Sequence, residues 1–221
     1  MIDIDSNNTK KKRILNYFIQ GARDIIEEKG IENVTIRNVA KKAGYHNATI
    51  YNYFDNLKQL IFFASLDFLS EYTQAMPEYI SKAKDEVEHF ILMWECFCYY
   101  TFENPGIYYA IFADKVGDDL EKLMKKYFEI FPEKLGSPPE YLVTMLLDPD
   151  LSRRASLASA PLIEKNLISK EKAEEVNSMI TYIYYGMLTL TINKRVNYDK
   201  EDAVAKITDL IRTIISNAIN K

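Results

Sequence analysis

Residues 35–54 read T-I-R-N-V-A-K-K-A-G-Y-H-N-A-T-I-Y-N-Y-F, and no other run constrains the chain as tightly. Thr35 can cap a short helix that carries Ile36, Val39, Ala40 and Ala43 on one face. Gly44 supplies the left-handed residue that ends this helix and starts a turn. A second helix of about two turns follows, with Ala48, Ile50, Tyr51 and Phe54 able to pack inward. Asn47, Thr49, Asn52 and Tyr53 are left to project from its other side. This layout is that of a helix-turn-helix, whose second helix lies in the major groove of DNA. Polar and aromatic side chains on the outer face suit contact with base edges and phosphates. The run predicts a DNA-binding regulator.

Matching elements continue on both sides of this run. Ile25-Ile26, Gly30, Thr35, Val39-Ala40, Ala43-Gly44, Thr49-Ile50-Tyr51, Tyr53-Phe54 and Asp55-Asn56 stand in register between Arg23 and Leu60. In that order the segment resembles the TetR family of bacterial transcriptional repressors. The resemblance covers roughly forty residues without a gap; from about residue 61 onward only the architecture matches. It implies an all-α chain with an N-terminal helix-turn-helix DNA-binding domain over 1–56. A C-terminal helical domain over 57–221 is then expected to bind an effector and to dimerise.

Composition sets the outer limits. Hydrophobic residues make up 48% of the 221 and charged residues 27%, which is ordinary for a globular protein with a sizeable core. Only seven Gly and seven Pro point to long helices with short connections. The net charge of −4 is unevenly spread: residues 1–60 hold 10 Lys and Arg against 7 Asp and Glu, the remainder 18 against 25. A positive end on a negative body orients a protein on a polyanion. No apolar run is long enough to span a bilayer, and Met1 to Asn8 is unlike a signal peptide, so no membrane contact is expected. Two Cys in such a chain imply free thiols and a cytoplasmic location.

Residues 1–8 lack apolar periodicity and are expected to be disordered. Lys10 to Arg13 opens a first helix running to about Lys29, in which the small pair Gly21-Ala22 would let another helix pack close. A long fourth helix is predicted from about Asn56 to Ala75, apolar on more than one side, with Pro77 and the charged run Ser81 to Glu88 marking a break or bend. Phe90 to Phe102 is apolar all round and reads as a central buried helix. A short helix Ile107 to Asp114 follows, and the prolines between 117 and 168 predict short helices there. Lys170 to Arg195 carries Val176, Met179, Ile180, Ile183, Met187 and Leu190 in one stripe; the last helix shows Val204, Ile207, Leu210 or Ile211, Ile214 and Ala218. The resemblance implies that these two helices, 170–195 and 200–219, form a homodimer interface. Such symmetry fits two half-sites of a double-stranded, palindromic operator.

Within the head, Arg37 lies on the first helix of the motif and can reach guanine, whose O6 and N7 favour bidentate contact. Thr49 and Asn52 are the next base readers, Asn suiting adenine and the Thr methyl meeting that of thymine. Asn47, Tyr51 and Tyr53 are further contacts, the tyrosines offering hydroxyls to phosphate; partial burial of Tyr51 in the core is the alternative. Lys10 to Arg13, Lys41 and Lys42 are candidates for phosphate or minor-groove contact, or else line a solvated helix face. The family pattern is broken twice. His46 stands where Ser or Thr commonly caps the recognition helix, which weakens the cap or puts the ring on phosphate. Leu57 replaces a backbone-gripping Lys, and Lys58 points about 100° away from that position.

The resemblance also implies a small-molecule site in the second domain. His89, Met93, Cys96 and Tyr100 share one face of the central helix; Glu95 shares another, and Trp94, Tyr108 and Phe112 lie nearby in sequence. Such walls suit a small apolar or aromatic effector, or are simply core. Glu95 would need a partner, a ligand or a proton. Cys96 and Cys98 sit roughly 200° apart on a helix and cannot chelate one metal together, and the chain has only two His. No cofactor, metal site or catalytic constellation is expected. The resulting expectation is a repressor released by its effector. The alternatives are an activator or ligand-requiring repressor of the same fold, or a helical carrier of hydrophobic ligands whose DNA-binding head has decayed.

Overall fold

The computed structural model describes residues 9–113 and 120–219, and among these every regular element is a helix. The chain is all-α, as the periodicities predict. It divides into two compact units, Met1–Glu71 with Gly106–Gly136, and Tyr72–Pro105 with Ser137–Lys221. The expectations for residues 1–8 and for the helix end at Asp114 fall outside the described residues.

In the first unit, α1 (Thr9–Lys29) buries Leu15, Phe18, Ile19, Ala22, Ile25 and Ile26 along one face. It packs on α2 (Ile36–Ala43) at Gly21, where an added β-carbon would come into van der Waals contact with the Val39 carbonyl oxygen at 3.4 Å. After α3 (Asn47–Ile50), helix α4 (Leu57–Ile80) begins in this unit and ends in the other. Phe62, Phe63, Leu66 and Leu69 are buried along with the main stripe Leu60, Ala64 and Phe68, so α4 is indeed apolar on several sides. Pro77 does not end it as expected. Ring closure removes one N–H, yet the Ser81 N–H donates to the Pro77 carbonyl (3.1 Å) and buried Met76 and Ile80 carry the stripe onward.

Asp67, 1% exposed, ties this first unit together. It accepts hydrogen bonds from Arg23 (2.9 Å), Gln20 (3.1 Å) and the Tyr127 hydroxyl (3.0 Å), and pairs with Lys134 at 2.7 Å. Tyr127 lies on α7 (Leu120–Ile130), which follows α6 (Pro105–Phe112). Burial works against ionisation of Asp67, but the bonds from Lys134 and Arg23 outweigh it and hold the carboxyl below its usual range.

In the second unit, α5 (Glu86–Glu103) starts at an Asp85 cap that accepts from the Glu88 N–H at 2.8 Å. It buries Phe90, Met93, Trp94, Phe97 and Phe102, as an all-round apolar helix should. Around it stand α8 (Glu140–Leu146), α9 (Leu151–Glu164), α10 (Lys170–Ile192) and α11 (Lys200–Ala218). Helix α9 accommodates Pro161, so this proline-containing region holds a fourteen-residue helix where short ones were expected. Helix α10 stops at Ile192 rather than Arg195. Its stripe splits: Val176 and Ile180 are buried and Ile183 and Met187 half-buried, while Met179 and Leu190 are exposed, as are Tyr182 and Gly186 beside them. On α11 the open choice resolves with Ile211 inward and Leu210 exposed.

Candidate DNA-binding face and effector cavity

The head is built by its local chemistry. The Asn38 N–H donates to Thr35 Oγ1 (3.1 Å), which caps α2. Gly44 closes α2 at φ 76°, and the Tyr45 N–H donates to the Ala40 carbonyl (2.9 Å), a Schellman-type exit. Tyr45 and Tyr53 then pack edge-on against buried Phe18, with ring centroids at 5.2 and 5.5 Å. These contacts fix the α2–α3 turn against α1.

Helix α3 is shorter than its sequence implies. One α-helical turn, Asn47–Ile50, passes into a tighter turn in which the Asn52 and Tyr53 N–H groups donate to the carbonyls of Thr49 and Ile50 (3.2 and 2.9 Å). The change of pitch moves the inward set. Ile50 and Phe54 are buried as expected, but Ala48 is exposed and Tyr51 is 59% exposed, so Tyr51 is not core. The outward face presents His46, Asn47, Tyr51 and Asn52 exposed, with Thr49 and Tyr53 half-buried; Arg37 is exposed on the first turn of α2. Burial raises the Tyr53 phenol pKa, with neighbouring Tyr45 adding to the effect. Its hydroxyl remains a proton donor at neutral pH. The His46 ring makes no capping bond to α3. Lys42 is held by Glu28 and stands 3.6 Å from Asp24, an ion-paired lysine rather than one aimed solely outward. Lys58 is exposed on the first turn of α4 and Leu57 half-buried.

The effector candidates do not converge. Met93 and Trp94 line a small cavity of about 20 Å³, together with Tyr72, Phe97, Met145, Leu151, Arg154 and the small α9 residues Ala155 and Ala158. His89 lines a separate, open hollow and stands 3.1 Å from the Tyr141 hydroxyl. Its pKa is lowered by burial. Glu95 is half-exposed and so needs no buried partner; Cys96 is buried, with its thiol pKa pushed up by desolvation. Tyr100 sits edge-on to Tyr72 at 6.3 Å. Tyr108 and Phe112 stack on one another at 6.1 Å and belong to the first unit, whereas the cavity residues belong to the second.

Arg154 is the charged cavity residue that sequence reasoning missed. It is 3% exposed and donates to the carbonyl oxygens of Leu146 (3.1 Å) and Asp148 (3.2 Å) and to the Tyr72 hydroxyl (3.0 Å). Its guanidinium lies over the Tyr72 and Phe97 rings at 5.4 and 5.6 Å. A signal existed: Leu151, Arg154, Ala155, Ala158 and Leu162 follow one helical stripe, and an arginine on it must be buried with its charge.

Among the described residues, no helix is long and apolar enough to cross a membrane. Cys96 and Cys98 are both free and buried.

Comparison with known proteins places this geometry. The profile of bacterial regulatory proteins of the tetR family matches residues 18–62, from α1 through the head into α4. No curated protein matches the chain by sequence. Three solved structures share the fold across almost its whole length. One is the fatty acid degradation regulator FadR from Bacillus halodurans, 14% identical, covering 94% of this chain and 97% of its own at a TM-score of 0.58. RolR in complex with resorcinol is 18% identical, covering 96% and 97% at 0.57. FadR from Thermus thermophilus, a TetR-family transcriptional repressor in complex with lauroyl-CoA, is 12% identical, covering 94% and 95% at 0.58. Residues 18–62 thus match the helix-turn-helix segment of bacterial regulatory proteins of the tetR family, and the chain as a whole shares the fold of these structures.

Proposed function

We propose that the chain is a repressor that binds a palindromic operator as a homodimer and is released by a small apolar or aromatic effector. The observation that carries the reading is the outward face of the head. Arg37, Asn47, Tyr51 and Asn52 are exposed around the turn, while Ile50 and Phe54 anchor it from below. Arg37 and Asn52 read bases and Thr49 meets a thymine methyl; Asn47, Tyr51, Tyr53, His46 and Lys58 contact phosphates. Lys42 contributes charge beside them while paired to α1. Residues 1–56 form the reading domain in this scheme, and 57–221 serve effector binding and dimerisation.

Dimerisation through α10 and α11 is supported by the apolar residues they leave outside. Met179, Tyr182, Leu190 and Leu210 are 38–75% exposed, unusual for large apolar side chains clustered on two adjacent helices. A two-fold pair of heads then meets the two half-sites of an inverted repeat. Effector release requires tighter binding to the DNA-incompetent state than to the competent one. Relatives of the same fold hold resorcinol and lauroyl-CoA, which supports a ligand site here as well.

The test is selection of the purified protein against random duplex DNA with sequencing of the bound pool. An enriched inverted repeat is the expected result. A folded, dimeric protein that enriches no sequence, with or without cell extract, would sink the operator reading.

A further inference from the structure

The face of α1 that meets α2 continues beyond it into solvent. At Gly21 this face touches α2, and one and two turns further on Asp24 and Glu28 hold Lys42. In the other direction it carries Tyr17, Arg13 and Lys10, about one helical turn apart and all exposed. Tyr17, 46% exposed, has its ring centroid 6.4 Å from that of Tyr45, which packs on Phe18 as Tyr53 does. Tyr53, Phe18, Tyr45 and Tyr17 therefore form a continuous ledge of rings from the α3 turn to α1. The basic run Lys10 to Arg13 does not act as a block. Lys12, about 100° around the helix from Arg13, turns to the returning segment. Its ammonium stands 3.4 Å from both carboxylate oxygens of Glu133 and 5.1 Å from the centroid of the Phe131 ring. The first turn of α1 holds no acidic residue, although a helix dipole favours acids there, so these cations are placed for something other than the helix.

We propose that Lys10, Arg13 and Tyr17 extend the DNA-binding face of the head along α1 as a grip on the phosphate backbone, and that Lys12 takes no part in it. The inference rests on the operator-binding reading and adds a surface to it. Two cations and a phenol hydroxyl in one row match a strand of phosphate monoanions, and such contacts hold the duplex without reading its bases. The row from Lys10 to Tyr17 spans about 10 Å of helix, enough to meet two or three successive phosphates. The ring ledge gives it a fixed place beside the α3 turn, so backbone grip and base reading act in one register. In a homodimer each contact counts twice. Lys12 is excluded because its charge is already answered inside the protein, by a carboxylate that any phosphate would have to displace.

The test is fluorescence anisotropy of the full-length protein on two duplexes, one enriched by selection and one of arbitrary sequence, from about 50 to 200 mM salt. Arg13→Gln and Lys10→Gln each remove one phosphate contact per protomer. The slope of log affinity against log salt should fall by about 2 per dimer on both duplexes, with a loss of about tenfold or more at the low-salt end. Repeating the selection with either variant should return the same inverted repeat. Tyr17→Phe keeps the ring ledge and removes the hydroxyl; it should weaken both duplexes several-fold at an unchanged slope. Lys12→Gln should leave the slope within about half a unit of the wild type. Melting curves check that these exposed substitutions leave the fold intact. Wild-type slopes in Arg13→Gln and Lys10→Gln would overturn the proposal, as would an equal fall in Lys12→Gln or a changed base preference in the first two. A wild-type protein that enriches no repeat fails the operator reading alone, and the fall in slope on the arbitrary duplex then still decides for or against the α1 grip. No salt-dependent binding to either duplex refutes both.

Discussion

Replacing Gly186 with leucine sets two effects of opposite sign against one another. Gly186 lies near the middle of α10, is exposed, and a β-carbon added there meets nothing within 4 Å in its own chain. In a lone protomer the substitution removes the helix penalty of glycine, a gain of about 0.8 kcal/mol, or roughly 2–3 °C in melting temperature for a chain of this size. In the proposed dimer the same residue faces a partner helix, flanked by Met179, Tyr182 and Leu190. An extra side chain forced into a packed contact costs about 1–3 kcal/mol, and the two-fold axis applies it twice. The expected loss of about 2–6 kcal/mol raises the dimer dissociation constant by about 30-fold or more. Sedimentation equilibrium over a range of concentrations measures it directly, and melting curves at low concentration report the protomer. An unchanged dissociation constant alongside a higher melting temperature would refute the placement of Gly186 in the interface.

Other outcomes follow from the first unit. Asp67→Asn should destabilise the protein by about 3–5 kcal/mol, since it leaves Arg23 and Lys134 without their buried counter-charge; chemical denaturation with a loss under about 1 kcal/mol would contradict that role. Because the folded Asp67 carboxyl sits below its usual range, its contribution is fully present above the unfolded pKa of about 3.9 and is lost as pH falls through the lower folded value. Acid unfolding of the wild type should therefore be steeper than that of Asp67→Asn, and identical acid limbs would exclude the linkage. Thr35→Ala should cost about 1 kcal/mol through the lost α2 cap, measured by thermal melts; no change would mean that solvent replaces the Asn38 bond fully. Arg37→Ala and Asn52→Ala should each weaken specific binding by about 1–3 kcal/mol and relax one base position, whereas Lys58→Ala should weaken all sequences alike and flatten the salt dependence. Unaltered base preferences in the first two variants would remove them as readers.

What could be read from the sequence was what neighbouring residues decide between themselves. The Thr35 cap and the Gly44 exit each involve partners within five residues, so the chain states them openly. The length of α3 was overestimated because outward and inward positions were phased at the α-helical pitch. The backbone instead tightens after Ile50, which turns Tyr51 to solvent, while Ala48 is exposed within the α-turn itself. Pro77 reads in the sequence as a break or bend, yet the helix runs through it, with buried Met76 and Ile80 on either side. Glu95 and Asp67 show the limit most clearly. Each is a carboxylate in an apolar helix, and sequence alone singled out Glu95. Packing leaves Glu95 half-exposed and buries Asp67 against Arg23 and Lys134, the latter 67 positions away in sequence. Arg154 was hidden for the same reason, since its Tyr72 partner lies 82 positions earlier.

The route of the chain through the first unit restricts how the reading head can be transplanted. The polypeptide leaves that unit after Glu71 and returns from Gly106 to Gly136, bringing back Tyr127 and Lys134 to complete the shell of Asp67. A fragment ending at Glu71 would carry every DNA-facing candidate yet strand the carboxylate with half of its partners. Chimaeras that splice this head onto a foreign regulator at the boundary of the helix-turn-helix would inherit the same defect. A workable graft is discontinuous: it takes residues 106–136 along with the N-terminal helices, or it replaces Asp67 and its ring of cations together.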